Sequence, residues 1–134
     1  MKRDMDLARN ILLKIEGGQK VFETASTETA AMLGFTPEGA MTREEADQLD
    51  GHLKLLEQAG FIEIDARMGG GAVLVDGLTW NGHEFLNTIR DEEVWSKTKD
   101  QAKKAGTGAI EFVWSIAKDV TKSEIKRRIG FDVG

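Results

Sequence analysis

Apolar residues at Leu7, Ile11, Leu12 and Ile15 recur at helical spacing and predict a first helix from about Arg3 to Glu16, stopped by Gly17-Gly18. The pattern weakens over residues 20–41. Lys20–Ala25 fits a short strand, Thr27–Leu33 fits either a helix or a strand ending before Gly34, and Thr36–Met41, with Pro37 and Gly39, reads as a turn. Thr42-Arg43-Glu44-Glu45 has the form of a capping box, in which the threonine hydroxyl takes an amide three residues on and the glutamate reaches back. The helix that follows carries Ala46, Leu49, Leu53 and Leu56 on one face and ends near Ala59-Gly60. Phe61-Ile62-Glu63-Ile64 and Ala72-Val73-Leu74-Val75 predict two strands joined by the glycine-rich tip Met68–Gly71. Thr79 caps a further helix bearing Phe85, Leu86 and Ile89. After the acidic run Asp91-Glu92-Glu93 the helical pattern resumes through Val94–Ala105, with a kink, and Gly106-Thr107-Gly108 breaks it. A last helix, about 109–129, aligns Ile110, Val113, Trp114, Ala117, Val120 and Ile125.

Helix, hairpin and helix in this order predict an α+β fold: a winged helix, meaning a helix-turn-helix with a β-hairpin wing, plus a C-terminal helical extension. The expected division is residues 1–105 for the winged-helix part and 106–134 for an amphipathic helix packed on it or on a second protomer. A homodimer through that helix would cover its apolar stripe. In DNA-binding winged helices the helix before the hairpin enters the major groove, which here would be helix 42–60.

Composition narrows the chemistry. The chain has no cysteine, so disulfides, thiolate catalysis and sulfur-ligated metals are excluded. Its two histidines, His52 and His83, make a histidine-rich metal site unexpected. No run of apolar residues is long enough to span a membrane, and MKRDMDLARN lacks the apolar core of a signal peptide, so a cytoplasmic protein is expected. The net charge of −5 is unevenly spread. Residues 1–20 hold five bases and three acids, whereas residues 21–78 hold three bases and eleven acids. The acidic part is therefore the centre of the expected winged helix, where a nucleic-acid binder would be basic.

Helix 42–60 sets Arg43 and Lys54 against Glu44, Glu45, Asp47, Asp50 and Glu57. Acids facing a duplex repel its phosphates, although Arg43, Gln48 and Lys54 have the side chains to reach base edges. The hairpin offers one base, Arg67, and Gly69-Gly70-Gly71 lacks the lysine and helix of a phosphate-binding loop. Trp80 and His83-Glu84 suggest a base and its orienting partner, with His83 reaching the hairpin, but no nucleophile or metal cluster accompanies them. His52 reads as a core-edge histidine. Towards the C-terminus Lys118, Lys122 and Lys126 repeat every four residues beside Arg127-Arg128. Such a stripe compensates the helix dipole, contacts a nucleic-acid backbone, or meets anionic lipid, and Asp119 and Glu124 weigh against lipid.

The strings MKRDMDLARNILLKIE, HLKLLEQAGFIE and GLTWNGHEFLNTIRDEEVW resemble an uncharacterised family of bacteria and their phages, a domain of unknown function numbered twenty-five thirteen. The resemblance covers roughly residues 1–100 and implies a prophage association and a winged-helix-like fold. It supplies no catalytic residues. The expectation is a non-enzymatic interaction or regulatory protein without cofactor or metal. Its acidic face of Glu44, Glu45, Asp47 and Asp50 would engage a basic protein partner of host or phage. The alternative, not favoured, is a DNA-binding regulator using Arg43, Gln48, Lys54, Arg67, Lys118, Lys122, Lys126 and Arg127.

Overall fold

Asp4 opens the first helix: its carboxylate accepts the amide of Leu7 at 3.1 Å, and α1 runs over Met5–Glu16. The computed structural model describes residues 2–34, 41–69, 71–106 and 109–130 and divides into two compact units, Met1–Gly82 and His83–Gly134. In the first unit Ala8, Ile11, Leu12 and Ile15 form the buried stripe of α1. β1 is Val21–Glu23, with Phe22 buried between two exposed neighbours. Of the two readings open for residues 27–33 the helix forms: α2 spans Thr27–Met32, capped by the Ser26 hydroxyl, which accepts the amide of Thr29. The turn expected at 36–41 lies, Met41 apart, outside the described residues.

α3 runs over Arg43–Gln58 behind the expected capping box. The Thr42 hydroxyl accepts the Glu45 amide at 3.1 Å, and a Glu45 carboxylate oxygen accepts the Thr42 amide at 3.3 Å. Its buried face is Ala46, His52, Leu53 and Leu56, with Leu49 only half-buried. The His52 ring joins two elements. Its Nε2 accepts the backbone N–H of Asp4 at 2.8 Å and its Nδ1–H donates to the Gln48 carbonyl at 2.7 Å. A backbone amide can only donate, so this geometry requires the tautomer protonated on Nδ1.

β2, Ile62–Met68, and β3, Ala72–Leu78, complete a three-stranded antiparallel sheet in the order β1-β3-β2. Both strands outrun the apolar stretches that foretold them. Apart from Met68 and Leu78 at the strand ends, their extra residues are polar or small, and a register irregularity between Ile64 and Ala66 interrupts the alternation that would have marked them. Gly71 closes the tip with φ +87°, and a Cβ there would come within 2.4 Å of the Ala25 side chain. α1 packs on α3 and β3, and α3 on β2. Leu12, Phe22, Leu53, Leu56, Phe61, Val73 and Val75 are among the buried residues of this unit. The fold is thus α+β, with six helices and one small sheet among the described residues.

α4, Trp80–Ile89, starts in the first unit. The Thr79 hydroxyl accepts the Gly82 amide at 3.0 Å and donates to the Gly60 carbonyl, while the Thr79 amide donates to the Phe61 carbonyl at 3.0 Å. Gly82 lies against that Phe61 carbonyl, and a Cβ would stand 2.0 Å from its oxygen. In the second unit Asp91 caps a separate helix, α5, which runs without interruption over Glu92–Lys104. α6 spans Ile110–Ile129 and packs on α5. Its buried stripe is Ile110, Val113, Ala117, Val120 and Glu124. A glutamate therefore takes the place expected for Ile125, which is 52% exposed. Trp114, at the edge of that stripe, meets Phe85 edge to face at 6.2 Å. No helix among the described residues is long and apolar enough to cross a membrane.

Two glycines separate close approach from mere tolerance. Gly82→Ala is expected to destabilise the protein by about 3 kcal/mol or more, because a carbonyl cannot yield like a flexible side chain. Gly77→Ala, where a Cβ would meet nothing within 4 Å, is expected to shift stability by less than about 1 kcal/mol. Equilibrium urea unfolding measures both, and similar losses would refute the contrast.

Candidate functional site

In the first unit, the amino-terminal half of α3 borders two adjoining grooves. One, of about 570 Å³, is lined by Lys2, Arg43, Glu44, Asp47 and Gln48. The other, of about 310 Å³, shares Arg43 and Asp47 and continues past Ser26, Thr29 and Gly71. Glu44 and Asp47 are exposed, three residues apart and hence on one face of the helix, and neither forms an ion pair among the described residues. Arg43 is also exposed and unpaired there. Gln48 is half-buried, and its Oε1 is buried with no hydrogen-bond partner among the described residues. Lys2 was not among the residues singled out from sequence. The basic excess of residues 1–20 was its signal, too diffuse to pick one side chain.

The other two acids of the expected face serve the fold itself. Glu45 is committed to the capping box. Asp50 is held between two bases: Oδ1 meets Arg67 Nη1 at 2.8 Å and Oδ2 meets Lys54 Nζ at 3.2 Å. Lys54 and Arg67, two residues of the expected DNA-contacting set, are thus brought together by one carboxylate from the acidic set. Arg43 and Gln48 stand away from this pair, in the groove.

In the second unit the basic residues divide. Lys118 sits 3.8 Å from the centre of the Trp114 ring, a cation–π contact. Lys122 and Lys126 are exposed without an ion pair among the described residues. Arg127 and Arg128 belong to a network. Arg127 Nη2 meets Glu93 at 2.9 Å and Glu124 at 2.8 Å, and Arg128 meets Asp91 at 2.8 Å and Glu93 at 3.1 Å. Lys97 closes it with a short contact to Glu124. The buried Glu124 carboxylate is thereby compensated on both oxygens. Hydrogen bonds from Arg127 and then Lys97 hold its pKa down, from 4.5 to about 2. A hydrogen bond from Arg128, helped by the Val94 amide, holds Asp91 well below the carboxylate range.

His83 and Glu84 are exposed, and His83 makes no hydrogen bond among the described residues, so the contact expected for it is not formed. Trp80, at the first turn of α4, is 78% exposed. Among the described residues no three of His, Asp and Glu gather as a metal site would need.

These features define a small α+β protein with a charged, grooved face on α3 and an ion-paired helical hairpin. The chain belongs to the family described as Hypothetical protein (DUF2513), which it matches over residues 2–108. It is also similar to an uncharacterized protein of Haemophilus influenzae, 36% identical over 105 residues that make up 77% of this chain and 80% of the relative. No solved structure matches it. The match agrees with the family resemblance carried by the three sequence strings. It ends before α6, so Lys118, Lys122, Lys126 and Arg127 lie outside it.

The ion network gives a pH signature. Glu124 and Asp91 have lowered pKa values, so the stability they confer is present above the ordinary carboxylate range and is lost as pH falls from 4.5 towards about 2. Thermal melts followed by circular dichroism are expected to give a flat Tm above about pH 5 and a fall below it. In Glu124→Gln the Tm is expected to be lower at neutral pH and the acid limb shallower. An unchanged acid limb in the variant would discount the network.

Proposed function

We propose that this protein is a winged-helix module without catalytic activity that binds a basic segment of a partner protein through Glu44 and Asp47. The element order α1-β1-α2-α3-β2-β3 with sheet order β1-β3-β2 supports the winged-helix reading, with β2–β3 as the wing and α3 as the helix that would face DNA. One observation carries the choice of partner. Of the three bases on α3 and β2, Lys54 and Arg67 are taken up by Asp50, while Glu44 and Asp47 stay exposed and unpaired among the described residues. Arg43 stays exposed beside them, so the free charge of α3 there is two acids to one base, and that acidic excess favours a lysine- or arginine-rich partner. The adjoining groove gives an extended segment room to lie beside them.

A DNA-binding regulator is the second reading, favoured by Lys122 and Lys126, exposed and unpaired among the described residues. Self-association through α6 would cover Phe112, Ile125 and Ile129, each more than half exposed.

A fluorescent octa-arginine peptide tests the first reading. It is expected to bind the wild type at about 50 mM salt, where exposed charges are weakly screened. Glu44→Gln/Asp47→Asn is expected to weaken it by about tenfold, as two exposed pairs of up to about 1 kcal/mol would give. Equal affinity in the double variant overturns the assignment.

A further inference from the structure

The position of Asp50 has a meaning beyond local pairing. It lies in the third turn of α3, and each of its oxygens holds a base from a different place: Lys54 one turn on, and Arg67 from the edge strand β2. All three side chains keep contact with solvent, at 54% exposure for Lys54, 38% for Arg67 and 30% for Asp50. A surface ion pair of this kind adds little stability. Two bases converging on one pair of anionic oxygens is also the arrangement that grips a phosphate diester.

We propose that Lys54 and Arg67 form a phosphate-diester clamp on the α3–β2 face, kept closed by the Asp50 carboxylate occupying the place of the phosphate. Asp50 acts as a built-in counter-anion. It withholds both bases from nucleic acid on the face where a winged helix would meet it, and leaves Glu44 and Asp47 in excess over Arg43 there. The inference rests on the reading above for the face concerned, and the two fail separately. Octa-arginine binding tests Glu44 and Asp47, whereas duplex binding tests Asp50.

The probe is a 16-base-pair duplex of random sequence, titrated by fluorescence anisotropy at about 50 mM salt and upwards. The wild type is expected to bind weakly. Asp50→Asn is expected to gain at least about tenfold in affinity, and its plot of log K against log salt to steepen by about two, one for each freed base. Glu57→Gln removes the same charge from the same helix without freeing either base, and is expected to gain much less. Adding Lys54→Gln and Arg67→Gln to Asp50→Asn is expected to abolish the gain. Asp50→Ser, which also lacks the charge but is shorter, is expected to behave like Asp50→Asn and covers a folding defect in either variant. A gain no larger than that of Glu57→Gln, or one surviving the loss of both bases, overturns the proposal. So does a wild type that already binds as tightly as Asp50→Asn.

Discussion

The His52 imidazole, 2% exposed, sits between the start of α1 and the middle of α3, and the grooved face of the first unit depends on it. One ring nitrogen receives the Asp4 amide and the other donates to a carbonyl of α3, so two polar groups are satisfied with a single neutral side chain. Lys2 lies two residues before Asp4. The same bond that anchors the amino-terminal end of α1 therefore brings a lysine from the chain's beginning to the wall formed by Arg43, Glu44, Asp47 and Gln48. Local helix chemistry, through Asp4 and the Thr42–Glu45 capping box, sets where the two helices begin. The histidine sets how those beginnings face each other.

What could be read from sequence follows the range of the forces involved. Caps act over three residues, so Thr42, Glu45 and Thr79 were legible, as were the stripes of α1 and α3. The far halves of β2 and β3 were not. Ala66 and Gly77 are in the sheet because they pair across β2 and β3, with Leu74 and Glu63, and an irregular register hides the period-two signal. Glu124 was misplaced for a related reason. A periodic reading puts the next apolar residue, Ile125, in the core, but three bases converging on position 124 make a glutamate acceptable there. At the candidate site, the acidic character of α3 was legible, but its division was not. Whether an acid that does not cap pairs or stays free depends on partners far along the chain, as Asp50 and Arg67 illustrate.

Asp50 and Glu124 show one principle at two settings. Each gathers bases from other parts of the chain onto a single carboxylate, one near solvent and one buried. In the helical hairpin this suits the backbone as well: acids stand at the start of α5 and bases at the end of α6, each complementing its own helix dipole while bridging to the other. Formal charge counted by segment thus overstates the charge offered to a partner. Five bases in residues 106–134 reduce to Lys118, Lys122 and Lys126 once Arg127 and Arg128 are assigned to the network.

The seat of Gly82 against the Phe61 carbonyl bears on how kinship in this family is to be understood. In the string GLTWNGHEFL, Thr79 and Gly82 make a joint between a turn and a helix, and Phe85 and Leu86 are interior. Four of its ten letters are therefore joint or interior, and four, Trp80, Asn81, His83 and Glu84, are exposed. Any relative with threonine and glycine at these two places can inherit the same joint whatever it binds, so descent seen through this string follows architecture. The outward letters, Trp80 and Asn81 among them, carry none of that joint.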